Sequence, residues 1–243
     1  MILRDISFDD PAENILFDEV LLDLAEKNGG PEVLRFWESP VLFIVLGRIC
    51  KLEHDVKKEQ TTRDHIVVLR RCSGGGTVLQ GPGCLNYSLI LSKDKNPSLR
   101  DLRHSYEVIL GQIVKALASR GIESIFLPIC DIALKNNQMK FSGNAQKRGK
   151  NFILHHGTIL YNFDLKAIGQ YLQMPTSIPE YRRGRSHDQF VTNLNLSKKE
   201  IKDALKTTFF IETENHGHSA IEKEMLAKVL ETRNPYVSSN ERR

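Results

Sequence analysis

Three consecutive glycines at residues 74–76, in the stretch RRCSGGGTV that begins at Arg70, restrict this chain more than any other feature of its sequence. Glycine loses more backbone entropy on folding than any other residue, so a triplet indicates a loop that needs unusual dihedral angles or close approach. The N–H groups of such a loop can bind an anion, and adjacent arginines add bidentate donors. The stretch therefore predicts an anion-binding loop, although a flexible hairpin loop with surface arginines also fits it.

Two common nucleotide-binding loops are excluded by the residues around the triplet. No Gly-Lys-Ser/Thr follows it, as a P-loop requires, and the Gly-x-Gly-x-x-Gly spacing of dinucleotide-binding folds is absent. Any nucleotide bound here would be bound in a different way.

Composition and charge narrow the partners and the compartment. The 243 residues carry a formal net charge of +4, and no run of Lys and Arg with interleaved aromatics indicates nucleic-acid binding. The N-terminus lacks the apolar run of a signal peptide, and no stretch approaches the roughly 18 apolar residues of a membrane span. Four cysteines without a Cys-x-x-Cys pair are typical of free thiols. We expect a cytoplasmic protein without membrane or nucleic-acid partners.

The hydrophobic pattern predicts an α+β fold with a mixed, mostly antiparallel sheet flanked by helices. Helices are expected over residues 10–28 and 99–121, and after the capping-box signatures at 197–200 and 219–222. Strands are expected at 33–37, 41–47, 65–71, 84–91, in part of 124–134, and in a hairpin over 136–163. Residues 50–64 are charged and irregular, with room for one short helix.

We predict a single catalytic domain over 1–243, since no linker or repeat interrupts the chain. Its core covers roughly 1–195, a helical segment roughly 196–235, and a frayed tail 236–243.

A second motif, KFSGNAQKR, begins at Lys140 where a strand is expected to start. A lysine can contact both a carboxylate and a phosphate as a mobile positive charge. Small residues at Ser142, Gly143 and Ala145 would leave room for a narrow ligand. The alternative is a lysine on the solvated face of an edge strand.

A third motif, HHGTIL, places His155 and His156 next to each other on a strand. Neighbouring strand residues point to opposite faces, so the two imidazoles cannot share one metal and a zinc site is rejected. Gly157 indicates close approach of a ligand or another strand. The roles of Cys72, Cys84 and Cys130 stay open, since Cys72 beside Arg71 is either an activated thiol or an inert packing residue.

In this order, RRCSGGGTV, KFSGNAQKR, HHGTILYNFD and FVTNL (190–194) resemble the lipoate–protein ligase A family, over roughly residues 10–195. The resemblance implies the biotin/lipoyl protein ligase catalytic-domain fold. It also implies ATP-dependent activation of lipoate to lipoyl-adenylate, with Mg²⁺, and transfer to a lysine of a lipoyl domain. Acceptors would be lipoyl domains of 2-oxoacid dehydrogenase complexes or the glycine cleavage H protein. Many family ligases carry a C-terminal accessory domain; we expect none here, and therefore a separate accessory subunit, reduced ligase activity or the transfer step alone.

By position, the resemblance makes Lys140 the catalytic residue, contacting the lipoyl carbonyl and the phosphate. The residues implied in substrate or nucleotide binding are Arg70, Arg71, Ser73, Gly74, Gly75, Gly76, Thr77, Val78, Leu79, Ser142, Gly143, Ala145, His156, Gly157 and Thr158. We also expect Val78 and Ile159 to line an apolar slot for the acyl chain. No residue is assigned as a certain metal ligand.

The motifs also depart from the family pattern. Where an aromatic–His–Asp followed by Gly-Asn is usual, this chain has Leu79-Gln80-Gly81 followed by Gly83-Cys84, which puts a metal or nucleotide contact there in doubt. Related octanoyltransferases use an acyl carrier protein instead of ATP, and one branch has a cysteine nucleophile upstream of the lysine. Cys130 lies ten residues before Lys140 but is followed by Asp131, as in ligases. An octanoyl or lipoyl transferase and a non-catalytic ligand-binding module remain the alternatives.

Overall fold

A computed structural model describes residues 1–128, 130–176 and 178–237. The strands are β1 (Ile2–Asp5), β2 (Val33–Trp37), β3 (Phe43–Leu46), β4 (Val67–Arg70), β5 (Val78–Gln80), β6 (Cys84–Ser92), β7 (Ser124–Leu127), β8 (Asp131–Leu134), β9 (Lys140–Arg148), β10 (Phe152–Leu160) and β11 (Thr213–Asn215). The α-helices are α1 (Pro11–Asn28), α2 (Leu52–Asp55), α3 (Lys58–Arg63), α4 (Leu102–Ala118), α5 (Leu165–Tyr171), α6 (His187–Phe190), α7 (Lys198–Thr208) and α8 (Ala220–Thr232). Short 3₁₀ helices cover Pro97–Arg100 and Glu180–Arg182. Within the described ranges, no helix combines the length and the apolar character needed to cross a membrane.

The larger sheet has eight strands in the order β11-β1-β2-β6-β10-β9-β8-β7. The pairs of β1 with β11 and β2 are parallel, and all other neighbours in this sheet are antiparallel. Helices cover the sheet, with α4 and α7 packed together and α1 against β10 and β6. The predicted α+β fold with a mixed, mostly antiparallel sheet is therefore confirmed.

A second, three-stranded sheet has the order β4-β3-β5. Two of its strands were expected from their apolar runs at 41–47 and 65–71, but β5 is too short for its pattern to identify it. The pair β3–β4 is parallel and the pair β3–β5 is antiparallel. The glycine triplet lies in the connection from β4 to β5, so both ends of this loop are fixed by one small sheet.

The two faces of the larger sheet differ in polarity in the middle of β6, where apolar and polar residues alternate from Leu85 to Leu89. Its residues Leu85, Tyr87 and Leu89 join the core that includes helices α4 and α7. Asn86 and Ser88 point the other way, and both are buried. The second face therefore carries buried polar side chains at these positions, whereas Ile90 farther along β6 joins the apolar cluster of helix α1.

Helix α1 begins as its sequence predicts. Asp10 accepts a hydrogen bond from the Ala12 N–H at 2.8 Å, and Pro11 occupies the first turn. The helix expected over 99–121 is instead interrupted at Asp101, whose carboxylate accepts from the His104 N–H at 2.7 Å and starts α4 there. The preceding turn, Pro97–Arg100, is a 3₁₀ helix.

Both C-terminal capping boxes are present, at Ser197 before α7 and at Ser219 before α8. Helix α7 contributes to the main core and α8 packs on α1, so the segment expected at 196–235 is joined to the rest of the fold. The expected tail falls partly outside the described residues, which end at 237. Tyr236 and Val237 pair with β4, where the Val237 N–H donates to the Val68 carbonyl at 2.9 Å.

Candidate functional site

The loop between β4 and β5 is organised around the side chain of Arg71. Its Nη2 donates to the carbonyls of Gly74 at 2.7 Å and Gly76 at 2.8 Å, and its Nε donates to Ser73 Oγ at 3.0 Å. Arg71 is buried, and burial lowers the pKa of its guanidinium. In this arrangement Arg71 cross-links the loop from inside, beneath its main chain.

Gly75 explains why the triplet contains glycine at its centre. Its φ angle is +83°, a conformation that side chains disfavour. A Cβ on Gly75 would lie 3.0 Å from Arg71 Nη2 and 3.8 Å from the Cβ of Ala145 on β9. On its other side, a Cβ on Gly47 would lie 2.0 Å from the Gly75 carbonyl oxygen. The loop is thereby held between the end of β3 and strand β9.

Gly74 and Gly76 lie beside open space, since a Cβ on either would meet nothing within 4 Å. Neither has the positive φ of Gly75. Their side of the loop has room for a ligand.

A β-bulge places Lys140 on the face of β9 that the glycine loop approaches. Strand β8 pairs Ile132 with Ser142 and Ala133 with Lys140, so Phe141 is the extra residue. The bulge places Lys140 on the side of Gly143, where its Nζ would lie 2.9 Å from a Cβ added to that glycine. Gly143 therefore leaves the space that the lysine side chain crosses.

Lys140 is paired with Asp131, the first residue of β8. Its Nζ lies 2.8 Å from Asp131 Oδ1, and the other oxygen, Oδ2, accepts a hydrogen bond from the Tyr181 hydroxyl. The Lys140 side chain is 26% exposed and that of Asp131 is 11% exposed. Gly143 and Ala145, two residues apart on one strand, share a face. The lysine that crosses Gly143 and the loop that approaches Ala145 therefore meet on one side of the sheet.

His156 joins this face through Ser73. Ser73 Oγ and His156 Nε2 are 2.6 Å apart. Because Ser73 Oγ already accepts from Arg71, the arrangement that satisfies its own hydrogen is donation to His156 Nε2. Burial, followed by the nearby Arg71 charge, lowers the pKa of His156 to about 3, so the imidazole is neutral near pH 7.

His155 lies on the opposite face, as the alternation of strand residues predicts. Its Nδ1 is 3.1 Å from Gln146 Nε2, and its ring packs against Tyr87 and Tyr106. The inference that the two histidines cannot share a metal is confirmed by this geometry.

Several predicted site residues face away from Lys140 or are used in packing. Ser142 lies behind the sheet, where its Oγ is 3.3 Å from Asn144 Nδ2. A Cβ on Gly157 would lie 1.9 Å from Asn144 Oδ1 and 2.7 Å from the Tyr87 hydroxyl. Gly157 therefore makes room for a pair of buried side chains rather than for a ligand on the Lys140 face.

Arg70 supports the neighbouring loop after β3, and its side chain makes its hydrogen bonds there and not to the glycine triplet. Its Nη1 donates to the carbonyls of Gly47 at 3.1 Å and Cys50 at 2.7 Å. Thr77 Oγ1 donates to Asp55 Oδ2 at 2.5 Å. Arg70 therefore supports the loop after β3, and Thr77 ties the end of the glycine loop to helix α2.

Thr158 belongs to a buried polar network that the sequence did not reveal. Its Oγ1 accepts from Gln80 Nε2 at 2.6 Å and donates to Asn86 Oδ1 at 2.8 Å. Thr158 is paired across the strands with both Asn86 and Gly143, so the network lies next to the lysine. Gln80, in the stretch that departs from the family pattern, is thus a structural member of this face.

Two residues expected to line an apolar slot lie in different clusters. Val78 packs with Trp37 and Phe43, and Leu79 is buried against Ile44. Ile159 is fully buried in the core beneath α4. Val78 and Ile159 do not line a common cavity.

The cysteines, all within the described ranges, are free. Burial raises the pKa of Cys72, Cys84 and Cys130, and for Cys130 the adjacent Asp131 raises it further. A thiolate is therefore disfavoured at each of these positions near neutral pH. This supports the interpretation of Cys72 as a packing residue.

Comparison with known proteins gives a consistent result. The family model for the lipoyl protein ligase A/B catalytic domain matches residues 10–210. A protein named probable lipoate-protein ligase A from Mycoplasma pneumoniae is 29% identical over 92% of this chain and 65% of its own length. The octanoyltransferase LipM of Halalkalibacterium halodurans is 27% identical over 82% of each chain. This chain spans 49–65% of the length of four lipoate–protein ligases that it resembles.

Solved structures share the fold. The lipoate–protein ligase of a bipartite system from Thermoplasma acidophilum, described together with its E2 lipoyl domain, has a TM-score of 0.80 at 21% identity, covering 95% of this chain and 91% of that one. A lipoate–protein ligase A bound with ATP has a TM-score of 0.79 at 20% identity, covering 94% and 93%. These likenesses confirm the predicted type of fold, and the match over residues 10–210 identifies the chain as a member of the lipoyl protein ligase A/B catalytic domain family.

Proposed function

We propose that this protein is a lipoate–protein ligase that activates lipoate with ATP to lipoyl-adenylate and transfers the lipoyl group to a lysine of a lipoyl domain. One observation carries the proposal. Lys140 crosses Gly143 while the glycine loop approaches Ala145, so a lysine ammonium and a glycine-rich loop lie on the same face of β9. That combination suits a ligand with a carbonyl joined to a phosphate.

The reaction has two steps that need the same donors. In the first, the lipoate carboxylate attacks the α-phosphorus of ATP and pyrophosphate leaves. In the second, the uncharged amine of the acceptor lysine attacks the carbonyl carbon, AMP leaves with the bonding electrons, and the amine loses a proton. Negative charge develops on phosphoryl oxygen first and on carbonyl oxygen second. The ammonium of Lys140 and the loop N–H groups would stabilise both charges.

Lys140 can keep its bond to Asp131 in this role, because an ammonium group has three N–H donors. Its Nζ lies 2.8 Å from Asp131 Oδ1 and the lysine side chain is partly exposed, so an arriving anion can accept from the remaining donors. Gly143 gives the side chain space in which to move toward the loop.

The predicted contact of Arg71 with the nucleotide takes a modified form in this proposal. Its donors are already engaged with Ser73 and the carbonyls of Gly74 and Gly76. Arg71 would hold the loop in shape and add positive charge beneath it. A direct phosphate contact would require those hydrogen bonds to break.

Magnesium would enter with the ATP phosphates, since Mg²⁺ is usually held by phosphates and one or two carboxylates. Asp131 is the carboxylate beside Lys140, but both of its oxygens are engaged, one by Lys140 and one by Tyr181. In the described part of the chain, no cluster of three or more His, Cys, Asp or Glu residues forms a separate metal site. The residues therefore fit a metal carried mainly by the nucleotide.

An octanoyl or lipoyl transferase that needs no ATP is the second candidate, because octanoyltransferases are among the relatives. Such an enzyme of the cysteine branch needs a reactive thiolate. The raised pKa of Cys130 disfavours one there, which supports the ligase. A non-catalytic ligand-binding module on this fold is the third candidate.

For the acceptor, we propose lipoyl domains of 2-oxoacid dehydrogenase complexes, with the glycine cleavage H protein as a second acceptor. A structural neighbour is described with its E2 lipoyl domain, which supports the first. That neighbour is one part of a bipartite ligase, which supports the proposal of a separate accessory subunit here. The free cysteines fit a reducing compartment such as the cytoplasm.

The test is a transfer assay on an apo lipoyl domain. ATP plus lipoate is expected to give a lipoylated lipoyl domain. Octanoyl-acyl carrier protein without ATP is expected to give no acylated lipoyl domain. Product from the carrier protein alone would overturn the ligase in favour of the transferase. If lipoyl transfer requires an added accessory protein, supplying synthetic lipoyl-adenylate isolates the second step.

Substitution of Lys140 separates the catalytic candidates from the binding module. Lys140→Ala is expected to slow transfer by about 10²–10³-fold while the fold persists, because it removes the charge that would stabilise the developing negative charge. Lys150→Ala, in the exposed turn after β9, is the matched control and is expected to keep wild-type activity. Normal transfer by Lys140→Ala would exclude the assigned role.

A further inference from the structure

The basic stretch RRGR at residues 182–185 lies beside the candidate site but was not among its predicted residues. Its neighbour Tyr181 donates a hydrogen bond from its hydroxyl to Asp131 Oδ2, across 50 residues of sequence. The same carboxylate binds Lys140 through Oδ1 at 2.8 Å. A continuous chain of contacts therefore runs from this segment to the lysine.

We propose that Tyr181 is a positioning residue that fixes Lys140 by holding the Asp131 carboxylate in one orientation. The inference rests on the proposed function only in taking Lys140 as the reacting cation. With both carboxylate oxygens engaged, rotation of Asp131 about its side-chain bonds would break the bond to Tyr181. The position of Lys140 is then set by a group that need not touch the substrate.

Tyr181 is itself held firmly, as this role requires. Its ring packs 5.4 Å from that of Phe190, and Arg182, which is 3% exposed, lies 4.6 Å over the same Phe190 ring. Arg185 donates to the carbonyl of Tyr181 at 3.0 Å and to that of Gln138 at 3.2 Å, just before β9. Two arginines of the basic stretch thus have a structural task in supporting Tyr181.

A second connection joins the segment to Lys140 through the main chain. The Thr192 N–H donates to the Lys140 carbonyl at 2.9 Å, and Val191 forms a β-bridge with Lys140. The segment from Tyr181 to Thr192 therefore borders the lysine at both its backbone and its charged end.

The Tyr181 hydroxyl is suited to donate a hydrogen bond at any pH in the neutral range. Burial raises the pKa of Tyr181, and the Asp131 charge raises it further, so the hydroxyl stays protonated throughout the neutral range. A hydrogen bond to a charged group is stronger than a neutral one. Its loss should therefore loosen Asp131 noticeably.

The test compares Tyr181→Phe with Tyr171→Phe, which removes another phenol–aspartate hydrogen bond, that of Tyr171 with Asp64 at 3.1 Å, away from Lys140. Tyr181→Phe is expected to lower kcat about tenfold while the KM for lipoate changes less than about twofold. Tyr171→Phe is expected to leave both constants unchanged. Equal effects of the two substitutions on kcat would overturn the proposal and leave the proposed function intact.

A double-mutant cycle asks whether Tyr181 acts through Asp131. In an Asp131→Asn background, Tyr181→Phe is expected to have little further effect on kcat, because the link to Lys140 is already lost. Additive losses would show that Tyr181 acts by another route and would refute the proposal.

An NMR measurement that requires no catalysis tests the proposal even if the protein catalyses neither transfer reaction. Lysines are reductively methylated with ¹³C-formaldehyde and a borohydride reductant, which keeps their charge, and the Lys140 signal is assigned by its disappearance in Lys140→Arg. In Tyr181→Phe, this signal is expected to narrow and move toward those of exposed lysines, whereas Tyr171→Phe leaves it unchanged. An unchanged Lys140 signal in Tyr181→Phe would refute positioning by Tyr181.

Discussion

Alanine substitution of each glycine in the triplet should show which glycine is required by its backbone conformation and which leaves space for a ligand. Gly75→Ala introduces a side chain at φ +83°, which costs about 1–2 kcal/mol. Its Cβ would also lie 3.0 Å from Arg71 Nη2, and displacing that group weakens hydrogen bonds worth about 1 kcal/mol. Loss of chain entropy in the unfolded state returns about 0.5 kcal/mol, which leaves a net loss of about 2 kcal/mol.

For a chain of this size, that loss lowers the unfolding temperature by about 4–8 °C. Gly74→Ala and Gly76→Ala are the matched controls, because each Cβ meets nothing within 4 Å and neither residue has a positive φ. They should unfold within about 1 °C of the wild type. The measurement is thermal unfolding followed by circular dichroism.

Equal unfolding temperatures for the three variants would refute this account of Gly75. Transfer activity gives the second half of the test. If a ligand uses the open side of the loop, Gly74→Ala or Gly76→Ala should lose activity without losing stability. Gly75→Ala should lose both.

Three further predictions follow from buried groups. Burial lowers the pKa of His155 to about 3, so below pH 6.5 the unfolded chain binds a proton that the native imidazole does not; stability should fall as the pH drops from about 6.5 toward 3, by about 1.4 kcal/mol per pH unit. Urea unfolding at pH 6.0 and 4.5 measures how the free energy of unfolding depends on pH. This dependence should be smaller in His155→Phe than in the wild type by about 1.4 kcal/mol per pH unit, and equal dependence in the two proteins would contradict the prediction. Cys130→Ala should keep transfer within about twofold of wild type, because its thiol is not activated; a loss of about 100-fold would favour a cysteine-dependent transferase. Gly157→Ala, whose Cβ would lie 1.9 Å from Asn144 Oδ1, should destabilise the fold by about 3 kcal/mol or more in urea unfolding, and near-wild-type stability would contradict that packing.

The parts of the fold that the sequence predicted are those with strong local signals. Helix α1 has a cap, a proline and an apolar stripe, and β2 matches its expected bounds of 33–37. The opposite directions of His155 and His156 follow from strand geometry alone. These features depend on residues close together in the chain.

The geometry of the site depends on pairing that no local pattern contains. Strict alternation along β9 would put Lys140 on the face of Ser142, but the bulge at Phe141 moves it to the face of Gly143. That bulge is specified by the register with β8, a tertiary property. The link between Tyr181 and Asp131 likewise joins positions 50 residues apart.

The two arginines before the triplet show a further limit of sequence reasoning. A guanidinium near a glycine loop suggests an anion, and the pattern cannot distinguish a ligand from the carbonyl oxygens of the loop itself. Arg71 binds such carbonyls within its own loop, and Arg70 binds those of the loop after β3. The positive charge of Arg71 still lies beneath the glycine loop, but its hydrogen bonds are made to the protein and not to a ligand.

The pairing of Tyr236 and Val237 with β4 affects how the protein matures during synthesis. The Arg70 N–H also donates to the Pro235 carbonyl, at 2.9 Å, immediately before the glycine loop. A ribosome makes this strand early and its partner some 165 residues later, as the positions of Arg70 and Pro235 require. The loop gains this support only after translation has passed residue 237, so a nascent chain that already contains every motif residue should still lack a fully braced site.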